Sequence, residues 1–197
     1  LVTGGFGFIG SHLCNYLSNK GCKVYNIDCK TYACDYVKVK NVLVDKHFNV
    51  DITDVNIYDE INQQERFDVL LHLAAESHVD NSIKNPTVFA NTNVIGTINM
   101  LNLAKQLRIP RFVQVSTDEV YGSLNEGDVS WTESSPISPN SPYSASKASA
   151  DMIAMSYHRT YGMDIRITRC CNNFGIGQHI EKLIPKSITY ANKYGFI

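Results

Sequence analysis

The sequence predicts an α/β domain built on a doubly wound parallel sheet. Short β-prone runs alternate with helix-like segments along most of the chain. The β-runs are continuous rather than alternating, as in strands covered on both faces. A glycine-rich turn also separates the first strand residues from the first helix-like segment. Strand–helix–strand succession then implies right-handed crossovers between parallel neighbours.

The elements follow in order. Val2-Thr3 reads as the tail of a first strand, Phe8 to Lys20 as a helix and Lys23 to Ile27 as a strand. Asp54 to Gln63 reads as a helix, Phe67 to Leu73 as a strand and Pro86 to Leu107 as a long helix. Arg111 to Val115 is a strand, Pro142 to Tyr161 a helix and Asp164 to Thr168 a strand. The Ser/Pro-rich stretch Ser134 to Pro142 is a loop, with Ser141-Pro142 starting the helix after it. No repeat, low-complexity tract or linker interrupts the pattern, so one domain over residues 1–197 is expected.

The 197 residues include 18 basic and 19 acidic side chains, a net charge of −1, with 44% hydrophobic residues. That balance suits a globular chain with a sizeable core, and it argues against nucleic acid or an anionic membrane surface as the partner. No apolar run approaches the roughly 20 residues that span a bilayer. The chain opens at Leu1 inside a motif, without an initiator Met or signal-peptide pattern, so a few upstream residues are expected. Cys14, Cys22, Cys29, Cys34, Cys170 and Cys171 form no C-x-x-C pair, and adjacent Cys170 and Cys171 are poorly placed to bond each other. Reduced thiols in a cytoplasmic protein fit better than zinc or disulfides. His72 and His78, six apart, match no usual metal-ligand spacing, so no metal is expected and His72 reads as a hydrogen-bonded structural residue.

Chemistry enters at Thr3-Gly4-Gly5-Phe6-Gly7-Phe8-Ile9-Gly10, which satisfies both G-x-x-G-x-x-G and G-x-G-x-x-G. Glycine supplies turn dihedrals and lets backbone approach a pyrophosphate, and the helix N-terminus offers free N–H groups to phosphate. Asp28 follows Gly10 by eighteen positions, close to the offset at which an acid meets the adenosine ribose of a Rossmann-type fold. A carboxylate there repels a 2′-phosphate, which favours NAD over NADP, and nearby Lys30 tempers the preference without reversing it.

Tyr143-Ser144-Ala145-Ser146-Lys147 sets a phenol and an ammonium one helical turn apart on one face. A tyrosine acting as base near pH 7 needs its pKa lowered by roughly three units, about 4 kcal/mol, and an adjacent Lys⁺ acts in that direction. Ser116-Thr117 stands at a strand end 27 residues earlier.

With these residues together, the chain resembles the extended short-chain dehydrogenases/reductases. The run Ser116-Thr117-Asp118-Glu119-Val120-Tyr121-Gly122 narrows the resemblance to nucleotide-sugar 4,6-dehydratases of the dTDP-glucose or UDP-glucose type. Leu73-Ala74-Ala75-Glu76-Ser77-His78-Val79-Asp80, Asn172-Asn173 and Glu181-Lys182-Leu183-Ile184-Pro185 match that family in order, over about residues 1 to 187.

The resemblance implies that bound NAD takes the C4 hydride of the glucose while Tyr143, beside Lys147, takes the 4-hydroxyl proton and Thr117 bonds that oxygen. The C4 ketone acidifies the C5 hydrogen; Glu119 is then the base, Asp118 protonates the departing 6-hydroxyl, and hydride returns to C6. Two carboxyls in different protonation states are needed, so Asp118 and Glu119 are expected on a turn just past the strand rather than facing opposite ways along it. The resemblance also places Gly4, Gly7, Phe8, Ile9 and Gly10 along the pyrophosphate, and Asp28, Cys29, Lys30 and Thr31 around the adenosine ribose. Asp51 and Ile52 would reach the adenine, while Leu73, Ala74, Ala75, Ser77, Thr92 and Asn173 would line the cofactor. Ser77, Thr117, Asn172, Lys182 and Leu183 would touch the sugar nucleotide, and His78 its pocket.

The family pattern breaks at Ile176 and Ile180, where relatives carry Pro, and the segment Asp35 to His47 looks shortened. Family members continue through a smaller C-terminal substrate domain, here expected to be largely missing, with 172–197 leading into it. A homodimer through Thr92 to Leu107 and Tyr143 to Tyr161 is the family expectation. Two alternatives stand beside the dehydratase: another enzyme of the fold, such as a 4-epimerase or decarboxylase, and a non-catalytic NAD-binding module.

Overall fold

The computed structural model describes residues 1–31, 34, 41–61 and 65–195. Its sheet has six strands: β1 (Val2–Thr3), β2 (Tyr25–Ile27), β3 (Lys46–Phe48), β4 (Val69–His72), β5 (Arg111–Thr117) and β6 (Asp164–Cys170). They lie in the order 3-2-1-4-5-6 and every pairing is parallel. This is the doubly wound Rossmann order, in which the connections reverse direction between β1 and β4 and leave a crevice beyond the strand ends. Val2 pairs with Asn26 on one side and Leu71 on the other. The turn after β1 and the loop after β4 therefore open onto the same crevice.

Helix α1 (Phe8–Asn19) covers one face, where Cys14 packs with Val2 and Val24. On the other face Tyr25, Ile27, Leu70 and Phe112 meet Met100, Leu101, Leu103 and Ala154. These last four come from α5 (Gly96–Gln106) and α6 (Pro142–Tyr161). Short α2 (Ile57–Glu60), α3 (Val79–Lys84) and α4 (Pro86–Phe89) precede a π-helical segment, Ala90–Ile95, which runs straight into α5. A 3₁₀ turn, Asp118–Tyr121, follows β5, and α7 (Leu183–Tyr194) closes the described chain.

Several boundaries have local causes. Helix α6 starts where Ser141-Pro142 predicted it: Ser141 and Ser144 form a reciprocal capping box, and Gly162 ends the helix at φ 68°. Strand β2 begins at Tyr25 rather than Lys23 because the Asp45 carboxylate takes the Val24 N–H at 2.7 Å. The helix expected over Asp54 to Gln63 contracts to Ile57–Glu60. Asp51 and Asp54 accept the N–H groups of Thr53 and Asn56, each at 2.8 Å, holding that approach in turns. Its expected end, at residues 62 and 63, lies outside the described residues, as does 35–40 of the segment read as shortened. Lys46–Phe48, Val79–Lys84 and Leu183–Tyr194 are elements the sequence pattern did not reveal.

Candidate active site

The glycine turn is held from below by the end of β2. Gly4 adopts φ 70°, and a Cβ there would sit 2.8 Å from the backbone of Ala74. A Cβ on Gly10 would run into the carbonyl oxygen of Gly4. Asn26 accepts the Gly5 N–H at 2.9 Å, and Asp28 accepts the Phe6 N–H through Oδ2 at 2.9 Å and the Lys30 N–H through Oδ1 at 2.8 Å. Asp28 thus fixes the turn while each carboxylate oxygen keeps a second lone pair. The first turn of α1 has no side-chain cap, so its N–H groups face the crevice.

The loop after β4 is fixed twice. Thr3 Oγ1 accepts the N–H groups of Leu73 and Ala74 at 3.1 and 3.0 Å. Asn93, buried in the π-helical segment, accepts the Glu76 N–H at 2.9 Å and donates to Glu76 O at 3.0 Å and Ser146 Oγ at 2.8 Å. A π-turn adds a residue per loop of helix and often marks functional sites; here it turns Asn93 inward.

Two cavities meet across this loop and the glycine turn, sharing Gly4, Gly7, Leu73 and Ala75. One, of about 250 Å³, is lined by Asp28, Cys29, Thr31, Asp51, Ile52, Ala74 and Thr92, with Glu76 and Val88 added. The other, of about 280 Å³, takes Phe8, Ile9 and Gly10 on one wall and Ser77, Thr117, Glu119, Tyr143 and Lys147 on another. Asn172, Asn173 and Lys182 close it. Four predicted residues stand outside both cavities: Lys30, whose ammonium lies over the Phe6 ring; His78, which faces Glu181 from behind the lining; Asp118, whose Oδ1 is 3.4 Å from the Thr117 hydroxyl; and Leu183, 80% exposed at the start of α7.

Thr117 ends β5 and caps the 3₁₀ turn by accepting the Glu119 N–H at 3.2 Å, so Asp118 and Glu119 leave the strand as expected. Burial, and then the Asp118 charge, push the Glu119 carboxyl above its usual range. That direction makes Glu119 a better base near neutral pH. Burial and Glu119 also raise the Tyr143 phenol, while a hydrogen bond with Thr117 pulls it down. Lys147 is buried, donates from Nζ to Val115 O at 2.7 Å, and is lowered by burial to about 8. It remains an ammonium at neutral pH. Tyr143 is placed by its own N–H, which donates to Ser82 Oγ at 3.1 Å.

Residues missed in the sequence also line the larger cavity. Glu181 Oε2 lies 3.6 Å from both His78 Nε2 and His179 Nδ1, and Gln178 donates to Asn173 O at 3.0 Å. Lys182 Nζ donates to Ser77 O at 3.0 Å, joining the far loop to the loop after β4. Glu181 directly precedes Lys182 and Leu183 in the sequence, and that adjacency was the available signal. Among the described residues no group of three or more His, Cys, Asp or Glu could hold a metal ion, and no helix is long and apolar enough to cross a membrane.

The family model for GDP-mannose 4,6 dehydratase matches residues 1–194. The chain belongs to this family. It is 44% identical to dTDP-glucose 4,6-dehydratase of Haemophilus influenzae over 97% of its own length and 60% of that protein. Against dTDP-glucose 4,6-dehydratase of Streptomyces griseus it is 46% identical, over 96% of this chain and 58% of the other. Among solved structures, DesIV, the dTDP-glucose 4,6-dehydratase of Streptomyces venezuelae with NAD bound, superimposes with a TM-score of 0.88 at 47% identity, covering 98% of this chain and 61% of that one. UDP-glucose 4-epimerase of Thermus thermophilus in complex with NAD gives a TM-score of 0.85 at 30% identity, over 96% and 60%. The chain therefore spans about six-tenths of the length of the curated relatives it matches.

Proposed function

We propose that this chain is the NAD-binding and catalytic part of a nucleotide-sugar 4,6-dehydratase, a lyase that removes water from dTDP-glucose to leave the 4-keto-6-deoxy sugar nucleotide. The observation that carries this reading is the convergence of Thr117, Glu119, Tyr143 and Lys147 on a cavity continuous with the glycine-turn groove that ends at Asp28. The glycine turn fits a dinucleotide: bare backbone at Gly4 meets Ala74, the α1 N-terminus faces the crevice, and Asp28 stands where ribose hydroxyls would bond. NAD, when bound, supplies the acceptor for the C4 hydride, its return to C6, and a positive ring beside the phenol.

The chain's own groups handle protons. Tyr143 takes the 4-hydroxyl proton, with Thr117 bonding the same oxygen and drawing down the phenol that burial and the Glu119 charge raise. Once C4 is a ketone, Glu119, raised toward neutral pH, removes the C5 proton. Asp118 protonates the 6-hydroxyl after turning from Thr117 toward the cavity. Ser77, Asn172 and Lys182 hold the sugar, and Asn173 the cofactor. Residues 172–197 begin a substrate domain that grips the nucleotide diphosphate.

The nucleotide is read as dTDP because relatives named for dTDP-glucose match at 44–46% identity, against 30% for the Thermus thermophilus UDP-glucose 4-epimerase. A homodimer is supported by the exposed apolar residues Ile95 on the π-helical segment and Met152 on α6. A cytoplasmic setting is supported by the free thiols of Cys14, Cys22, Cys29, Cys170 and Cys171.

The test is incubation of the full-length protein with dTDP-glucose or UDP-glucose and mass analysis of the product. Loss of one water supports the reading, and its disappearance in Glu119→Gln and Asp118→Asn assigns the acid–base pair. A product of unchanged mass and inverted C4 would instead make the protein an epimerase.

A further inference from the structure

We propose that Asp151, kept ionised by Arg169, is the buried counter-charge that holds Lys147 as an ammonium beside Tyr143. Asp151 is a positioning residue in this proposal, and its consequence for turnover rests on the function proposed above.

The spacing itself is regular. Tyr143, Lys147 and Asp151 follow one another at four-residue steps, so all three lie on one face of α6. That face is turned into the protein: Lys147 is 5% exposed and Asp151 0%. The lysine reaches Val115 O, and the next strand residue, Ser116, pairs in register with Arg169 of β6. Arg169 Nε donates to Asp151 Oδ2 at 3.0 Å, and its Nη1 donates to Tyr121 Oη at 2.9 Å. Two cations from different elements thus flank one carboxylate between α6 and the β5–β6 pair.

Arg169 does not use up the carboxylate. Asp151 Oδ1 has no hydrogen-bond partner, and neither has the hydroxyl of nearby Ser116, which still lies close enough to favour the ionised form. A buried ammonium with only a carbonyl for company is costly, and a carboxylate in the same low-dielectric space offsets that cost. Lys147 is also faced by the Cys170 thiol from β6 and by His72, a buried neutral imidazole on β4. Of these groups Asp151 and Cys170 favour the ammonium, and Asp151 the more strongly. Burial raises the Asp151 carboxyl above its usual range, and the Arg169 hydrogen bond, nearby Ser116 and the Arg169 and Lys147 charges hold that rise down.

Arg169 also ties this charge chain to Tyr121, the last residue of the 3₁₀ turn that carries Asp118 and Glu119. The phenol–ammonium helix and the acid–base turn therefore share one strut.

The test reads the titration of Lys147 directly, without substrate or cofactor. Full-length protein carrying ¹³Cε-lysine is titrated by NMR from neutral to alkaline pH, with the Lys147 signal assigned by its loss in K147M. In D151N, which preserves shape and can still accept from Arg169, the midpoint falls by about one pH unit or more, a tenfold fall in the ratio of ammonium to amine. In R169Q the midpoint also falls, because the buried Asp151 carboxyl, without Arg169 to keep it ionised, takes up a proton and no longer offsets the lysine charge. D151E restores part of the wild-type value. A Lys147 midpoint that stays within a few tenths of a unit of wild type in folded D151N overturns the proposal. If D151N does not fold, R169Q decides: an unmoved or raised midpoint overturns it equally. Turnover of the wild-type enzyme is scored separately, so a failed titration and a failed function are told apart.

Discussion

His72 and Thr97 are joined side chain to side chain at 3.1 Å, in the buried space between β4 and α5. Thr97 spends its single hydroxyl hydrogen on Asn93 O at 2.6 Å, so toward His72 it can only accept. The imidazole proton therefore sits on Nε2, and Nδ1 accepts from Thr3 Oγ1 at 2.7 Å. Thr3 in turn accepts the backbone N–H groups of Leu73 and Ala74. One directed chain thus runs from the loop lining both cavities to the π-helical segment that holds Asn93.

A single tautomer is the first expected outcome. Long-range ¹⁵N NMR of the histidine rings should show His72 as the neutral Nε2–H form. Thr97→Val would leave that N–H buried without an acceptor, which costs about 1–3 kcal/mol. Thr97→Ser should cost far less. Urea unfolding of the two variants checks the order.

Acid stability follows from the same residue. Burial lowers His72 to about 3 from its ordinary 6.5. Between those values the unfolded chain binds a proton that the folded chain refuses, so this contribution to stability is complete above about pH 6.5 and is lost as pH falls toward 3. At pH 4.5 the loss is on the order of 3 kcal/mol. The difference in urea midpoint between pH 7 and 4.5 should therefore be smaller in His72→Gln than in the wild type. Equal differences would remove His72 from the acid transition.

Much of the fold could be read because its cues are local. Ser141-Pro142 announced α6 to the residue, and the glycine turn with Asp28 announced β1, α1 and the end of β2. Tyr143 and Lys147 were legible as a pair because four-residue spacing alone puts them on one face. Lys46-His47-Phe48 hid a strand because an edge position, with Lys46 exposed and only Phe48 buried, asks for no apolar run. Asn93 was hidden for a different reason: in Ala90-Asn91-Thr92-Asn93 ordinary helical periodicity cannot say which asparagine turns inward, and a π-turn decides it. The chain through Thr3, His72 and Thr97 spans 69 and 25 residues of sequence separation, and only the assembled sheet brings it together.

Asn93 should therefore matter more than its plain setting suggests. Its amide satisfies both backbone groups of Glu76 and Ser146 on α6. Asn93→Ala frees three partners at once and should cost about 1–3 kcal/mol in stability. Because the freed loop lines both cavities, NAD affinity measured by calorimetry should fall about tenfold, a change of roughly 1.4 kcal/mol. Lost stability with unchanged NAD affinity would limit Asn93 to a packing role.

Asp28 makes the last prediction, since it has two tasks that a substitution can separate. Its oxygens hold the Phe6 and Lys30 N–H groups, and its charge faces the cavity that the adenosine ribose would fill. Asn at this position can accept one of those N–H groups through its single oxygen, while its NH₂ would be turned toward the other donor. It also removes the charge that repels a 2′-phosphate. Asp28→Asn should weaken NAD binding about tenfold through the loosened turn and the poorer ribose acceptor, while NADP binding falls little or rises. The ratio of the two dissociation constants is the decisive measurement: equal losses for NAD and NADP would mean that Asp28 acts on the turn alone, and a ratio that moves toward NADP places its charge at the ribose.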